Sequence, residues 1–392
     1  MRILQLHARY RIPAGEDSVV ENEAAALEQA GHVVRQLILA NPTDAIGAMT
    51  TLARSLYNRP VAAKVRRTIA DFQPDVVHVH NTWFALSSSA VSAAAASGVP
   101  VVMTIHNYRL ACLGSDLFRD GAVCTACVGH SPLRGVIHGC YRSSHLQSVI
   151  QATEVTVTRR RRVLDRSVTR FVAGSQFMGE RLIEMGVPRS RLVIKPHFVA
   201  DPGPRLRLPS QSEEILSVGR LAPGKGLDTL LRAWNTIDVS RSPFERLSII
   251  GDGPLAEDLR ADAPLTVDLP GWLSRNAVTD RLLRARALVM PSEWYEPFGM
   301  VLIEAMSAGL PIIVTTAAGA ASIVGDRGSI VVPFRQPAAL AEALGQLDDA
   351  TVDRLGAANR EAYQTRYTES AGIAALESLY TEVMSGAFDD QR

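Results

Sequence analysis

The sequence has almost no net charge and only four cysteines. Forty-one Lys and Arg stand against 40 Asp and Glu, which gives a formal net charge of +1 over 392 residues. This balance excludes a protein that grips nucleic acid through its total charge, so any basic surface must be local. With 47% hydrophobic and 21% charged residues, the composition is that of a folded chain, and its length predicts two domains.

Long apolar runs are also missing. The most apolar stretch, residues 85–103, is interrupted by serines, Gly98 and Pro100. It falls short of the ~20 clean apolar residues that a membrane span needs. The start, MRILQLHARYR, carries basic residues where a secretory signal has its apolar core. We therefore expect a cytoplasmic protein, and association with the inner face of the cytoplasmic membrane is the one extension that we keep open.

Two common catalytic signatures are absent. No G-x-S-x-G occurs, which disfavours an α/β-hydrolase. The nearest approach to G-x-G-x-x-G after a predicted strand is GDGPLA at 251–256, which ends in Ala and lies late in the chain, so a dehydrogenase is disfavoured.

Short runs of Val, Ile and Leu alternate with helical stretches throughout the chain. Such runs predict parallel strands that are covered on both faces. We predict an α/β protein of two Rossmann-like doubly wound domains that face each other across a cleft, with C-terminal helices. The predicted strands lie at 2–6, 33–39, 75–80, 100–105, 170–174, 191–195, 214–219, 246–251, 287–291, 310–315 and 329–333.

The predicted boundaries follow composition. An N-terminal Rossmann-like domain takes residues 1–200 and includes a cysteine-rich insert at 106–145. The proline-rich stretch 201–213 is predicted to be a linker, and a C-terminal Rossmann-like domain takes 214–370. A helix at 371–392 is expected to pack back on the N-terminal domain. The first helix is expected to use Asp17 as its N-cap.

The densest candidate for chemistry is PSEWYEPFGMVLIEAMSAGLPIIV, residues 291–314. Glu296 lies in a loop after a strand, and Glu304 lies in the helix that is predicted to begin near Gly299 and end at Gly309. The amides of the first helical turn suit a phosphate, and flanking carboxylates suit sugar or ribose hydroxyls. A buried helix capped by surface charge is the alternative.

A second strand, glycine turn and helix lie at 217–231, SVGRLAPGKGLDTLL. Arg220 offers a fork of donors to phosphate oxygens, and Lys225 offers a mobile charge. Together they suit a diphosphate leaving group, although such residues are often merely solvated. The stretch has the G-x4-G-K spacing of a P-loop from Gly219 to Lys225, but Gly226 follows the lysine where a P-loop has Ser or Thr, so it is not a P-loop.

These motifs together resemble the retaining glycosyltransferases of family 4, which have the GT-B fold. The resemblance spans nearly the whole chain and rests on AGE in the first loop, HNYR after a strand, GRLAPGKG, GDGP, the segment around Gly271, and E-P-F-G-M-V-L-I-E. It implies that residues 1–200 form the acceptor domain and residues 214–370 the nucleotide-sugar-binding domain. It further implies that Glu296 contacts the donor sugar and Glu304 the nucleotide ribose. It also implies that Arg220 and Lys225 neutralise the departing diphosphate. The loop and amides around sugar and phosphates would come from Phe298, Gly299, Met300 and Val301.

In the first half, the resemblance assigns Gly15 to the diphosphate loop and His106 to the donor sugar. The family usually has two glycines in that loop, and Ala14 replaces the first here. His78 and His80 lie inside a predicted strand and are interpreted as structural. Trp272 could border the nucleobase or belong to the core.

The resemblance implies hexosyl transfer from a nucleotide-diphosphate sugar to a glycan or lipid-linked acceptor with retention of configuration. No Asp-x-Asp triplet occurs, so no cofactor is expected to be required for catalysis. Further likeness through HNYRLxC, LFRDGxVCxxC and GCYRSS is to transferases of surface-polysaccharide or glycolipid assembly. The alternatives are a nucleotide-sugar epimerase of the same fold and a non-catalytic sugar-nucleotide-binding protein.

Two local features need their own explanation. Cys112, Cys124, Cys127 and Cys140 form the pattern C-x11-C-x2-C-x12-C, for which we predict a structural zinc site, with disulfides or unligated thiols as alternatives. Arg159 to Arg162 form a basic run that is expected either to be solvated or to dock on an anionic membrane surface.

Overall fold

The structure is a computed structural model that describes residues 1–10, 15–41, 57–317, 319–325 and 327–386. The chain divides into two compact units. The first comprises residues 1–117, 125–197 and 369–392, and the second comprises 118–124 and 198–368. Within the described ranges, no helix is both long and apolar enough to cross a membrane.

The first half of the chain alternates strands and helices. In order these are β1 Arg2–Arg9, α1 Gly15–Gln29, β2 Val33–Ala40, α2 Arg59–Phe72, β3 Val76–Asn81, α3 Ser87–Ala95, β4 Val101–Ile105, β5 Phe118–Arg119, β6 Ala122–Val123, α4 Leu133–Ile137, α5 His145–Arg160, α6 Val163–Ser167, β7 Arg170–Ala173, α7 Gln176–Glu184 and β8 Leu192–Ile194. A 3-10 turn, Arg189–Arg191, precedes β8.

The sheet of the first unit has six parallel strands in the order β2-β1-β3-β4-β7-β8. Its central strands, β3 and β4, are buried along their whole length, and apolar side chains dominate β4 while β3 alternates Val with buried His and Asn. The order reverses between β1 and β3. The loops that follow those two strands diverge there, and ligands of such sheets bind at this point.

The second half of the chain builds another alternating series. It comprises β9 Glu214–Val218, α8 Leu227–Trp234, β10 Arg246–Ile250, α9 Ala256–Asp262, β11 Val267–Gly271, α10 Arg275–Arg284, β12 Ala287–Met290, α11 Met300–Ser307, β13 Ile312–Thr315, α12 Gly319–Val324, β14 Ser329–Val332, α13 Pro337–Gly345, α14 Asp349–Arg366 and α15 Glu369–Met384. Short 3-10 turns lie at Pro209–Gln211 and Val239–Arg241.

The second sheet has the order β11-β10-β9-β12-β13-β14, again all parallel. This is the doubly wound order 3-2-1-4-5-6, and its reversal lies between β9 and β12. Two apolar cores flank the sheet, one around Trp234 and Phe244 and the other around Leu302 and Tyr363. The prediction of two doubly wound α/β domains is therefore confirmed.

Four local predictions differ from the structure. Strand β11 was not predicted, and Trp272, which follows it, is 74% exposed, so the core interpretation of this residue is wrong. Asp17 is not an N-cap: it lies inside α1, where His7 Nε2 is 2.9 Å from its Oδ1. The stretch 201–213 is packed on the second unit, because the Arg205 guanidinium donates to the carbonyls of Leu282, Ala285 and Ala308. Within the predicted insert, residues 118–124 group with the second unit.

The final helix, α15, packs on the first unit. Tyr380 OH lies 2.7 Å from His78 Nδ1, and Glu382 Oε1 lies 3.2 Å from Arg170 Nε. Glu377 Oε1 lies 2.8 Å from His32 Nε2. These partners come from strands and turns that the first half of the chain supplies.

Candidate active site

A group of bonded polar side chains in the second unit lies where its strand order reverses. The loop after β9 carries Lys225, and the loop after β12 carries Glu296. Lys225 Nζ donates to Glu296 Oε2 at 2.7 Å. Two residues that the sequence placed in separate motifs are thus a directly bonded pair.

Glu296 is held by three donors on a single oxygen. Besides Lys225, its Oε2 accepts from Trp294 Nε1 at 2.8 Å and from Ser292 Oγ at 3.4 Å. The ammonium of Lys225 also lies 4.7 Å from the centre of the Trp294 ring. Within the described ranges, Oε1 of Glu296 has no hydrogen-bond partner. A positioned carboxylate therefore keeps one oxygen for a hydroxyl donor.

A second carboxylate in the same loop, Glu293, was not singled out from the sequence. It accepts from Thr229 Oγ1 at 2.8 Å and from Arg335 Nε at 2.7 Å, and its amide donates to Gly224 O. Glu293 thus ties the loop after β12 to the one after β9. Its position three residues before Glu296 was the available signal.

Two glycines allow these loops to approach each other closely. Gly226 caps α8 with a φ of 67°, and a Cβ there would lie 2.0 Å from Pro291 O. A Cβ on Gly319 would lie 1.8 Å from the carbonyl oxygen of Glu296. Any larger residue at either place must displace backbone of the Glu296 loop.

Helix α11 begins as predicted, with Gly299 at its N-cap and a φ of 84°. Phe298 is buried and packs edge-on against Tyr367, while Met300 and Val301 are half-buried against the same core. Their side chains therefore pack in the core of the second unit.

Glu304 is separate from the Glu296 cluster and lies on α11. Burial raises the pKa of its carboxyl, and Arg275, whose Nη2 is 3.9 Å from Oε1, opposes that rise. Arg220 is exposed and has no ion-pair partner among the residues described. Its positive charge thus remains available to an anionic ligand.

In the first unit, His106 follows β4 directly, and its ring belongs to a buried group of imidazoles. His106 Nε2 lies 3.2 Å from His80 Nδ1, and its ring stacks on His197 at 5.2 Å between centres. Burial and neighbouring positive charge lower the pKa of His106 to about 3, so the ring is neutral at pH 7. Gly15, the other predicted residue here, begins α1.

Beneath these rings lies a buried ion pair that sequence reasoning missed. Lys195 Nζ donates to Glu23 Oε1, and both side chains are almost fully buried. The other oxygen, Oε2, lies 3.7 Å from His78 Nδ1 and 3.6 Å from His80 Nε2. In the sequence, Lys195 stands in the stretch KPH directly after β8. Because α1 and β8 are far apart along the chain, no local pattern links Lys195 to Glu23.

Glu23, His78 and His80 also form a group that has ligand atoms within 4.8 Å of one another, the spacing of a metal site. However, Lys195 already supplies the cation that Glu23 binds. Both ring nitrogens of His78 are engaged as well, by Tyr380 OH and Thr104 Oγ1, each at 2.7 Å. We therefore interpret this group as a hydrogen-bond network, in agreement with the structural role predicted for His78 and His80.

The four cysteines form no disulfide. Burial raises the pKa of Cys112 to about 11, while amides of Gly114, Ser115 and Leu117 act in the opposite direction. Amides directed at a sulphur suit a thiolate ligand. However, the group with metal-ligand spacing among the described residues consists of Glu23, His78 and His80 and contains no cysteine. The zinc site stays a prediction.

The basic run does not present four equivalent charges. Arg159 turns back and donates to the carbonyls of Leu110 and His130, and Arg162 Nε lies 3.1 Å from Asp165 Oδ2. Arg160 and Arg161 are exposed. The surface available for docking is thus about half of the predicted one.

Comparison with known proteins identifies both halves of the chain. A family model described as a glycosyl transferase 4-like domain matches residues 14–197, and one described as glycosyl transferases group 1 matches residues 212–349.

Two relatives match along most of their length. TuaC of Bacillus subtilis, assigned by name to teichuronic acid biosynthesis as a glycosyltransferase, is 25% identical over 332 residues, which are 83% of this chain and 76% of TuaC. The phosphatidyl-myo-inositol mannosyltransferase of Mycolicibacterium smegmatis is 27% identical over 403 aligned residues, covering 96% of this chain and 92% of the relative. With several other relatives the match spans less than half of the relative.

Among solved structures, Anabaena Alr3699/HepE in complex with UDP-glucose superposes with a TM-score of 0.67 at 15% identity. The superposition covers 97% of this chain and all of that one. At this identity the likeness concerns the fold, which is the two-domain GT-B arrangement of elements.

Proposed function

Because the chain belongs to the glycosyltransferases that combine a 4-like domain with a group 1 domain, we propose that it transfers a hexosyl group from a nucleotide-diphosphate sugar to an acceptor hydroxyl with retention of configuration. The observation that carries this proposal is the Lys225–Glu296 pair at the reversal of the second sheet. The pair puts an ammonium, which suits the diphosphate, beside a carboxylate that has one oxygen without a hydrogen bond, which suits a hydroxyl of the sugar.

In the proposed reaction, the bond between the anomeric carbon and the diphosphate oxygen breaks, and its electron pair stays on the diphosphate. Lys225 and Arg220 stabilise that charge. The acceptor oxygen bonds to the anomeric carbon from the face that the diphosphate leaves, and its proton passes to a diphosphate oxygen. No net oxidation occurs, and no metal step is invoked.

The carboxylates act as hydrogen-bond acceptors in this scheme. Oε1 of Glu296 accepts a hydrogen bond from a hydroxyl of the donor sugar, and the carboxylate of Glu304 accepts one from a ribose hydroxyl. The amides at Phe298, Gly299, Met300 and Val301 and the backbone at Gly15 approach the phosphates. The ring of His106 forms a hydrogen bond with a further hydroxyl of the donor sugar.

We also propose an acceptor of the kind used in surface-polysaccharide or glycolipid assembly. Support comes from TuaC and from the mannosyltransferase, whose names refer to teichuronic acid and to a phosphatidylinositol respectively. Both the acceptor and the location at the inner face of the membrane are parts of this proposal. The donor proposal is supported by the UDP-glucose bound to the HepE structure.

The test is a panel of UDP-, GDP- and ADP-sugars, incubated with the full chain with and without lipid-linked and glycan acceptors. Released nucleotide is measured, and the anomeric configuration of any product is read by NMR. Acceptor-dependent release with retained configuration is expected. Isomerised sugar without acceptor would establish the epimerase instead, and binding without turnover across the panel would establish a non-catalytic binder.

A further inference from the structure

The buried polar group under His106 contains two atoms whose bonding capacity is unused. Among the described residues, neither Glu23 Oε2 nor His80 Nε2 has a hydrogen-bond partner, although both are fully buried. The two atoms face each other at 3.6 Å. Burying a polar atom without a hydrogen-bond partner costs free energy. We therefore expect the ring proton of His80 to lie on the nitrogen that makes the contact between Nε2 and the Glu23 carboxylate attractive.

A neutral imidazole has one N–H and one lone pair. If His80 carries its proton on Nε2, that N–H points at the carboxylate of Glu23. If it carries the proton on Nδ1, two lone pairs face each other in a buried region. The first arrangement is therefore the stable one. Lys195, on the other oxygen of Glu23, keeps the carboxylate ionised.

The tautomer of His80 then dictates that of His106. With its proton on Nε2, His80 presents a lone pair at Nδ1, 3.2 Å from His106 Nε2. His106 must donate from Nε2, which leaves its own Nδ1 as a lone pair. Within the described residues, no partner for that Nδ1 is found.

We propose that Glu23 is a positioning residue that acts through His80 to hold His106 as the Nε2–H tautomer, so that Nδ1 of His106 accepts a hydrogen bond from a hydroxyl group of the ligand. A lone pair excludes direct contact with a phosphate oxygen, which is itself only an acceptor. His106 therefore recognises a hydroxyl, and the assignment of that hydroxyl to the donor sugar rests on the proposed function.

The first test needs no ligand. In full-length protein with isotope-labelled histidine, long-range proton–nitrogen NMR distinguishes protonated from unprotonated ring nitrogens. Assignment through His106→Asn identifies the signals. An unprotonated Nδ1 and a protonated Nε2 are expected for His106, and the reverse pattern overturns the proposal.

Glu23→Gln provides the second test, because a carboxamide can donate to His80 Nε2 and so reverse both tautomers. The double variant Glu23→Gln with Lys195→Met removes the buried ammonium as well, in case the single variant does not fold. In any folded variant, a protonated Nδ1 at His106 is expected. An unchanged tautomer contradicts the role of Glu23, and the wild-type spectrum decides on its own if neither variant folds.

Ligand binding separates this inference from the proposed function. With UDP and UDP-glucose as probes, Glu23→Gln is expected to weaken UDP-glucose binding about tenfold and to leave UDP binding unchanged, since one sugar contact is lost. Equal weakening of both ligands overturns the tautomer role. If wild type binds neither UDP nor any nucleotide sugar of the panel, the proposed function fails, while the NMR result on the tautomer still stands.

Discussion

Lys225 and Glu296 form a 2.7 Å ion pair in which the glutamate is also held by the Trp294 indole. In the proposed reaction the two groups act on one ligand, so their removal should not be additive. Glu296→Gln and Lys225→Met should each reduce kcat by about 100-fold. The double variant should lose little more than either single one.

Steady-state kinetics with the active donor of the panel provides the measurement. Glu257→Gln on the exposed face of α9 is the matched control and should retain full turnover. Independent, multiplicative losses in the double variant would contradict a shared role.

The close approach of Gly319 to Glu296 predicts a substitution that disturbs the loop without touching a polar group. In Gly319→Ala the new methyl would lie 1.8 Å from the Glu296 carbonyl oxygen, so the loop must shift. We expect a loss of roughly 2 kcal/mol in stability and a marked fall in kcat.

Gly345→Ala is the control for that substitution. A Cβ there meets nothing within 4 Å, at the end of α13, so stability should stay the same or rise slightly. Urea unfolding and kinetics compare the two variants. Equal behaviour of the pair would refute the close approach.

The buried imidazoles predict an acid-sensitive fold. Burial lowers the pKa of His78 to about 4 and of His106 to about 3, whereas an unfolded histidine titrates near ~6.5. Between these values the unfolded chain binds more protons, so each ring's contribution is intact above about pH 6.5 and declines as the pH falls towards 4.

The variant His106→Asn should therefore show a shallower loss of melting temperature than wild type between pH 6.5 and pH 5. A difference between variants is needed, because burial raises the pKa of Glu154 to about 7, which contributes with opposite sign in this range. His138→Asn, on an exposed ring, serves as control. Parallel curves for wild type and His106→Asn would contradict the assignment.

The cysteine pattern predicts about one equivalent of zinc per chain. Zinc would replace the proton on Cys112, whose pKa is about 11 without it, so binding should release protons. Elemental analysis of purified protein measures the metal, and Cys112→Ser and Cys127→Ser should both lower its content. Less than about half an equivalent in wild type would defeat the prediction.

The exposed part of the basic run predicts weak docking on anionic vesicles, at ~1 kcal/mol per charge near the headgroups. Vesicle flotation should rise with the fraction of anionic lipid and fall in the double variant Arg160→Gln with Arg161→Gln. Arg159→Gln should act through stability instead, since Arg159 holds backbone carbonyls. Flotation that does not depend on the fraction of anionic lipid would contradict the docking hypothesis.

The sequence predicted elements whose signal is local. Short apolar runs, VV in β3, VVM in β4 and ALVM in β12, indicated these strands, which are buried along their whole length. Strand β11 was not predicted because Asp268 and Pro270 interrupt its apolar pattern. A strand at the edge of a sheet tolerates such residues. Gly299 was identified correctly because a glycine before an apolar helix is itself a local signal.

Contacts across long stretches of chain were out of reach. The local pattern at Asp17 is that of an N-cap, but a histidine from β1 binds this carboxylate instead. Glu23, His80 and Lys195 come from α1, β3 and the end of β8, and nothing in their spacing pairs them. The sequence places Lys225 and Glu296 in two separate motifs, while the bond between them depends on the order in which the strands lie.

The docking of α15 on the first unit has a consequence for biosynthesis. During translation, His78 and Arg170 emerge long before Tyr380 and Glu382, which bond to them in the native protein. The ribosome must synthesise nearly all of the second unit in the interval, so that unit has its sequence available first. The unit that begins the chain is therefore the last to be completed, and a nascent chain stalled before residue 369 would hold all six strands of its sheet without the helix that packs on them.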